Sequence, residues 1–383
     1  MANELNGQTK NMYTTLTNGS LNGDHSNHGS KAKEEDEESY AYAAQILNSC
    51  VLPMVLNATI DLGVLQIIQD EACSSRLSPA ELASKIKATN PEAPTMLDRM
   101  LKVLATYSVV SCTAVPTADG GVQRRYGPAP VTKFFVPDQD GVSLAPMLNL
   151  VIDKVFLQSW SKLKETVLEG GIPFNKVHGM HAFEYPSVDP RFNDIFNKAM
   201  YDQTTYTIKL ILDKYKGFEN IRQLVDVGGG LGHSIHAITS KYPSTKGINF
   251  DLPHVIEHAP SLPGIDHVGG DMFESVPKGD AIFMKWILHD WSDDRCLTLL
   301  KNCHKALPEN GKVIVVETNI TDEPETTALA RAISQLDVSM MTQNPGGKER
   351  TRREFEALAK ATGFAGVKFV CYVSNFWVME FYK

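Results

Sequence analysis

The run Leu224-Val225-Asp226-Val227-Gly228-Gly229-Gly230-Leu231-Gly232 constrains the fold more than any other stretch of the chain. An apolar segment that breaks into closely spaced glycines reads as a buried strand turning sharply into a helix. Glycine at such a turn lets the backbone approach a ligand with no side chain in the way. The segment 233–241 then has helical character, and Lys246-Gly247-Ile248-Asn249-Phe250-Asp251 reads as a second strand ending in an acid. Strand, glycine turn, helix, strand, acid is the skeleton of a site for an adenosine-containing cofactor, with the acid gripping ribose hydroxyls. A further acid, Asp271, follows a third strand-like run at 265–270, where an adenine amine would be met.

The glycine spacing narrows the cofactor. In a dinucleotide fingerprint, G-x-G-x-x-G, the sixth position from Gly228 or Gly230 would be glycine; here it is His233 or Ile235. The chain reads Asp-x-Gly-x-Gly-x-Gly from Asp226 to Gly232. That pattern resembles the S-adenosylmethionine methyltransferases, whose donor carries no pyrophosphate to place on a helix N-terminus.

Strand-like runs recur at 223–227, 246–250, 265–269, 280–285, 311–317, 366–373 and 376–382, mostly with helical stretches between them. This alternation predicts an α/β fold with a doubly wound, mostly parallel sheet of seven strands. Only Ser374-Asn375 separates the last two runs, too short for a crossover helix, so they must pair antiparallel at one end of the sheet.

The first half reads differently. Residues 1–38 are polar and include the acidic block Glu34-Glu35-Asp36-Glu37-Glu38, which predicts a disordered tail. From Ala41 to Ile68 the apolar spacing predicts a buried helical region rather than a membrane span, since Asn48, Asn57 and Asp61 interrupt it. A helix apolar nearly all round needs partners on more than one side, which favours a second subunit. Ser78-Pro79-Ala80-Glu81 is a helix start, a second helix spans 93–106 with Met96 on its core face, and 109–112 and 124–126 read as a hairpin. Helix, helix, hairpin is the order of a winged helix. With a net charge of −8, subunit packing fits it better than nucleic acid. Residues 144–168 read as helical and lead to the second domain. The expected division is therefore a tail at 1–38, a winged-helix-like dimerisation domain at 39–160 and a catalytic domain at 161–383. The six cysteines show no metal or paired spacing, and the polar N-terminal stretch has no apolar signal core. Both point to reduced thiols in the cytoplasm.

The fourth strand of the alternation runs into Ile287-Leu288-His289-Asp290-Trp291. Ligands of open α/β sheets sit at the carboxyl ends of the strands, so His289 lies on the reactive rim. The fifth strand delivers Glu317 to the same rim, where a carboxylate beside an imidazole would fix its tautomer. Glu349, in Gly346-Gly347-Lys348-Glu349-Arg350, lies in a turn that is polar in any case. Methyl transfer from a sulfonium disperses charge, so the protein need only position the acceptor and remove its proton; no metal is required. Asp293 and Asp294 read as first-turn acids of the following helix rather than magnesium ligands.

Across residues 39 to 383 the chain resembles the plant caffeic acid O-methyltransferase group. The resemblance rests on Leu-Val-Asp-Val-Gly-Gly-Gly at 224–230, Phe-Asp-Leu-Pro-His-Val-Ile at 250–256 and Gly-Gly-Asp-Met-Phe at 269–273, with Met-Lys-Trp-Ile-Leu-His-Asp-Trp at 284–291 and Gly-Gly-Lys-Glu-Arg at 346–350. It implies that Gly228, Asp251, Asp271, Met272 and Lys285 contact S-adenosylmethionine. His289 would be the base, flanked by Glu317 and Glu349, with Phe196, Met200, Asp290 and Asn344 lining the pocket of a small-molecule acceptor. It also implies a homodimer, while the net charge and the interrupted apolar stretch leave no nucleic-acid or membrane partner expected. The departures fall in the pocket: Val151-Ile152-Asp153-Lys154-Val155 stands where lignin-pathway members carry Asn-Gln-Asp-Lys-Val, and Phe156, Pro186 and Gln343 replace Leu, His and His. A phenolic hydroxyl is the expected acceptor. An amine nitrogen, inositol or an alkaloid on the same scaffold is the alternative.

Overall fold

The computed structural model describes residues 28–71, 75–118 and 120–383. They fall in two compact units, one ending at Leu52 and one spanning Pro53–Lys383.

In the first unit a helix covers His28–Leu47. It begins inside the stretch expected to be disordered and takes in the acidic block, which corrects that expectation for residues 28–38. Glu, Lys and Ala are strong helix formers, and a fully solvated helix needs no buried face. The rest of the expected tail, 1–27, lies outside the described residues, as does Cys73.

The second unit opens on the helices that the Ala41–Ile68 pattern predicted. Val64, Leu65 and Ile68 are buried on one side. Ile46, Leu47, Val51 and Met54 stay exposed in the single chain, so the region is only partly buried. A narrow apolar stripe can be covered by one neighbour; an all-round apolar surface cannot. Among the described residues no single helix is long and apolar enough to cross a membrane.

Ser78 caps the helix Pro79–Lys85 in a reciprocal capping box with Glu81. The helix Ala93–Thr106 buries Leu97, Leu101 and Leu104, but Met96, expected on the core face, is 52% exposed. Strands β1 (Val110–Pro116) and β2 (Val122–Pro128) pair antiparallel. The segment 144–168 is not one helix: it breaks at Asp153, whose carboxylate caps a new helix at Val155 N and holds Arg191. A side chain that caps a helix start also ends the previous one.

The sheet that follows has seven strands: β3 (Gln223–Val227), β4 (Lys246–Asp251), β5 (Ile265–Gly269), β6 (Ala281–Lys285), β7 (Lys312–Glu317), β8 (Gly366–Val373) and β9 (Phe376–Tyr382). Their order is β5-β4-β3-β6-β7-β9-β8. The first five are mutually parallel, and β9 pairs antiparallel with both β7 and β8. Apolar clusters lie on both faces, one around Val225, Ile282 and Leu299, the other around Leu224, Phe283 and Ile314. Alternate residues of β3 and β6 point to opposite sides and are fully buried, which is why these strands read as unbroken apolar runs. Chain order reverses between β3 and β6, so ligands are expected in the crevice beyond the carboxyl ends there.

Candidate active site

Two sets of residues meet at that crevice. Toward β4 and β5 the chain presents glycines and acids. Gly228, Gly230 and Gly232 have φ of +70°, +58° and +88°, a region that side chains other than glycine enter only with strain. Added at Gly228, a methyl would collide with Ile287 Cδ1; at Gly230 it would meet nothing within 4 Å, so the turn borders open space. Asp251 Oδ2 accepts from Gly230 N at 2.8 Å and its Oδ1 from Leu252 N at 2.7 Å. Burial nonetheless raises its carboxyl above the usual range. Asp226 is fully enclosed: burial first, then the Asp251 charge, lift it to about 8, and its Oδ2 has no hydrogen-bond partner. Asp271 accepts from Phe273 N at 2.8 Å, and Met272 beside it packs against the core. Burial pushes Lys285 down to about 8 despite the Glu317, Asp226 and Asp290 charges, and its Nζ donates to Gln203 Oε1 at 2.9 Å.

This donor set fits S-adenosylmethionine and not a dinucleotide. Asp251 at the end of β4 and Asp271 just after β5 supply acceptors for ribose hydroxyls and amines and favour a cation. A dinucleotide is set aside by the glycine spacing, since His233 and Ile235 stand where its fingerprint needs glycine.

Toward β7 the chain presents a buried acid–imidazole cluster. His289 lies in a 3₁₀ turn, Leu288–Asp290, immediately after β6. His289, Glu317 and Glu349 place their side-chain ligand atoms within 4.8 Å of one another, and all three are buried. The sequence pointed to Glu317 as the acid on the ring; the structure gives that bond to Glu349, whose Oε1 lies 2.8 Å from His289 Nδ1. Glu317 Oε1 instead accepts from Ile287 N and Leu288 N at 2.9 and 2.8 Å. It secures the backbone of the turn while Glu349 secures the ring. Asp290 Oδ1 lies 3.5 Å from His289 Nε2 and accepts from Asn344 Nδ2 at 2.6 Å.

Burial alone would depress the imidazole, but the charges of Asp290, Glu317 and Glu349 outweigh it and lift His289 to about 9. Burial likewise raises Asp290, to about 7, against the pull of the His289 charge.

Several supports were not evident in the sequence. Thr318 Oγ1 donates to Glu349 Oε2, and Glu349 N donates to Asp337 Oδ1 at 2.8 Å. Arg350, 1% exposed, donates to Leu288 O and Trp291 O at 2.6 and 2.7 Å and pairs with Asp293. A buried arginine in a glycine turn is a signal that spacing does not reveal. Asp293 and Asp294 do lie in the first turn of the helix Asp293–Ala306. Phe196 and Met200, on the helix Pro190–Lys214, pack against an aromatic cluster of Phe156, Phe174 and Phe192.

Comparison with known proteins matches the O-methyltransferase domain family over residues 160–365 and the O-methyltransferase dimerisation domain over 44–138. An "O-methyltransferase 16" of Lophophora williamsii is 80% identical over 350 residues, 91% of this chain and 94% of that one. A caffeic acid 3-O-methyltransferase of Catharanthus roseus is 54% identical, covering 95% of this chain and 100% of its own. In fold the chain is similar to human N-acetylserotonin methyltransferase solved with S-adenosylmethionine, at a TM-score of 0.72 and 21% identity, over 90% of this chain and 98% of that one. The chain therefore belongs to the plant O-methyltransferases of the caffeic acid type and is an enzyme that uses S-adenosylmethionine.

Proposed function

We propose that this enzyme methylates a phenolic hydroxyl of a small aromatic acceptor, with His289 as the general base and no metal in the step. The observation that carries the reading is the buried imidazole whose Nδ1 is taken by Glu349, which leaves Nε2 to face an acceptor. When bound, S-adenosylmethionine supplies an electrophilic methyl on a sulfonium. The residues Gly228, Asp251, Asp271, Met272 and Lys285 hold it; Phe196 and Met200 with their aromatic neighbours, and Asp290 with Asn344, orient the acceptor ring. Relatives named for caffeic acid and catechol support an aromatic hydroxyl.

The raised imidazole explains how a histidine can serve a phenol. An ordinary histidine near ~6.5 and a phenol near ~10 are mismatched by about 5 kcal/mol; a base lifted to about 9 reduces that gap to roughly 1.4 kcal/mol. His289 would take the hydroxyl proton at Nε2 as the oxygen gains the methyl carbon and the carbon–sulfur bond breaks, its electron pair staying on sulfur. Glu349 holds the tautomer that presents Nε2 and, with Glu317, balances the imidazolium that results.

We further infer that the chain acts as a homodimer in the cytoplasm, joined through residues 39–160, with residues 161–383 as the catalytic portion. The match to a dimerisation domain and the exposed Ile46, Leu47 and Met54 support the pairing. The test of the reaction is a panel of phenols, polyols and amines with methyl-labelled donor and product mass spectrometry, run on the wild type and His289→Gln. Phenols should turn over and the variant should lose about a hundred- to ten-thousandfold in kcat. Methylation confined to amines, or an unimpaired variant, would overturn the reading.

A further inference from the structure

Trp286 follows β6 directly and occupies a conformation that works against it. Its φ is +57°, a left-handed region where a bulky side chain is strained and glycine would not be. Its indole Nε1 is buried and has no hydrogen-bond partner. Neither feature stabilises the fold: glycine would relieve the first and a purely apolar side chain the second. What the conformation achieves is placement. The indole stacks on the His289 ring at 15° with centroids 5.5 Å apart, its edge packs on Phe376 of β9, and Lys285 Nζ lies 4.7 Å from its centroid.

The ring is held at Cγ by its bond to Cβ and at Nδ1 by Glu349, and a ring held at two neighbouring points can still swing about the line between them. A flat face against it removes the swing. We infer that Trp286 is a positioning residue for His289: its indole face sets the plane of the imidazole, hence the aim of Nε2, and stabilises the ring when it is protonated. The inference rests on His289 being the base. Aromatic faces attract cations, most strongly when water is excluded, so the stack adds to the raising effect on His289. The other charged groups acting on that ring are Asp290 in its own turn, Glu317 at the end of β7 and Glu349 in the loop after the helix Ala328–Gln343. Lys285 sits over the indole, with Asp226 of β3 acting on that lysine.

The experiment compares wild type, Trp286→Leu and Trp286→Phe. It measures kcat against pH on the best phenol of the panel, donor affinity by calorimetry with S-adenosylmethionine, and the His289 titration by NMR of ¹³C-histidine-labelled protein, assigned with His289→Gln. The leucine variant should lose about thirty- to a hundredfold in kcat at unchanged donor affinity. Its His289 midpoint should fall by about one pH unit. Phenylalanine keeps a face and loses the N–H, and it should restore both to within about threefold and a few tenths of a unit. A leucine variant that titrates and turns over like wild type overturns the inference, as does a phenylalanine variant that falls as far as leucine. Should leucine prevent folding, 5-fluorotryptophan in the wild-type sequence weakens the face at constant shape. The label should lower the His289 midpoint there and leave it unmoved in Trp286→Phe; no shift on labelling in either protein, or the same shift in both, overturns the inference. Failure of the base assignment shows separately, as full turnover by His289→Gln, while the ring titration still judges the stack.

Discussion

The two halves of the rim are built by different means. The proposed donor half is mostly backbone: glycines at positive φ and an acid that accepts from the turn itself lie within residues 226 to 272, with Lys285 added from the end of β6. The base half is made of side chains brought from β6, β7 and the 346–350 loop, with each polar atom braced by another. Local backbone can hold a ligand by shape alone. A proton-transfer group needs partners on several sides, and no single segment can supply them.

If the halves are separable, changes in one should leave the other intact. The largest effect is expected from Glu349→Gln, which keeps the shape and removes the charge that fixes the imidazole tautomer. Stopped-time assays should show kcat down about a thousandfold with donor affinity by calorimetry unchanged. Asp251→Ala is the mirror test. Donor affinity should drop about a hundredfold, from the loss of a charged acceptor, with the pH midpoint of kcat unmoved. Gly228→Ala should break the separation, because its methyl would strike Ile287 in the turn that carries the base. Both donor affinity and kcat should then fall, each about tenfold.

A fourth test is in pH. On the proposed reading His289, lifted to about 9, works only when neutral, so kcat/KM should climb with pH toward that value. Asp290 is the foremost of the charges that lift it, so Asp290→Asn should move the climb to lower pH by about one unit. The smallest effect should come far from the rim. Ser78→Ala removes a helix cap worth about 1 kcal/mol, lowering Tm by about 2–4 °C with kcat unaltered.

The contrast also accounts for what the sequence could reveal. The seven strands were predicted to within a residue of their observed ends, because apolar runs flanked by glycine and charge leave few other foldings. The glycine turn and its acids were legible for the same reason, since their chemistry is contiguous. The division of labour between Glu317 and Glu349 was not. Both are strand-end or turn acids in sequence, and only packing reveals that β7 brings Glu317 under two backbone amides while a residue sixty positions from His289 takes the ring. Trp286 escaped notice because strain lives in φ, which composition does not report. The helix over the acidic block was missed because polarity was read as disorder although its residues favour helix.

Glu349 and Arg350 are neighbours in one short segment, and they grip different parts of the same turn. One holds the imidazole, the other the carbonyls of Leu288 and Trp291. A displacement of this segment would therefore loosen ring and main chain together, so the 346–350 loop is a single fastening for both.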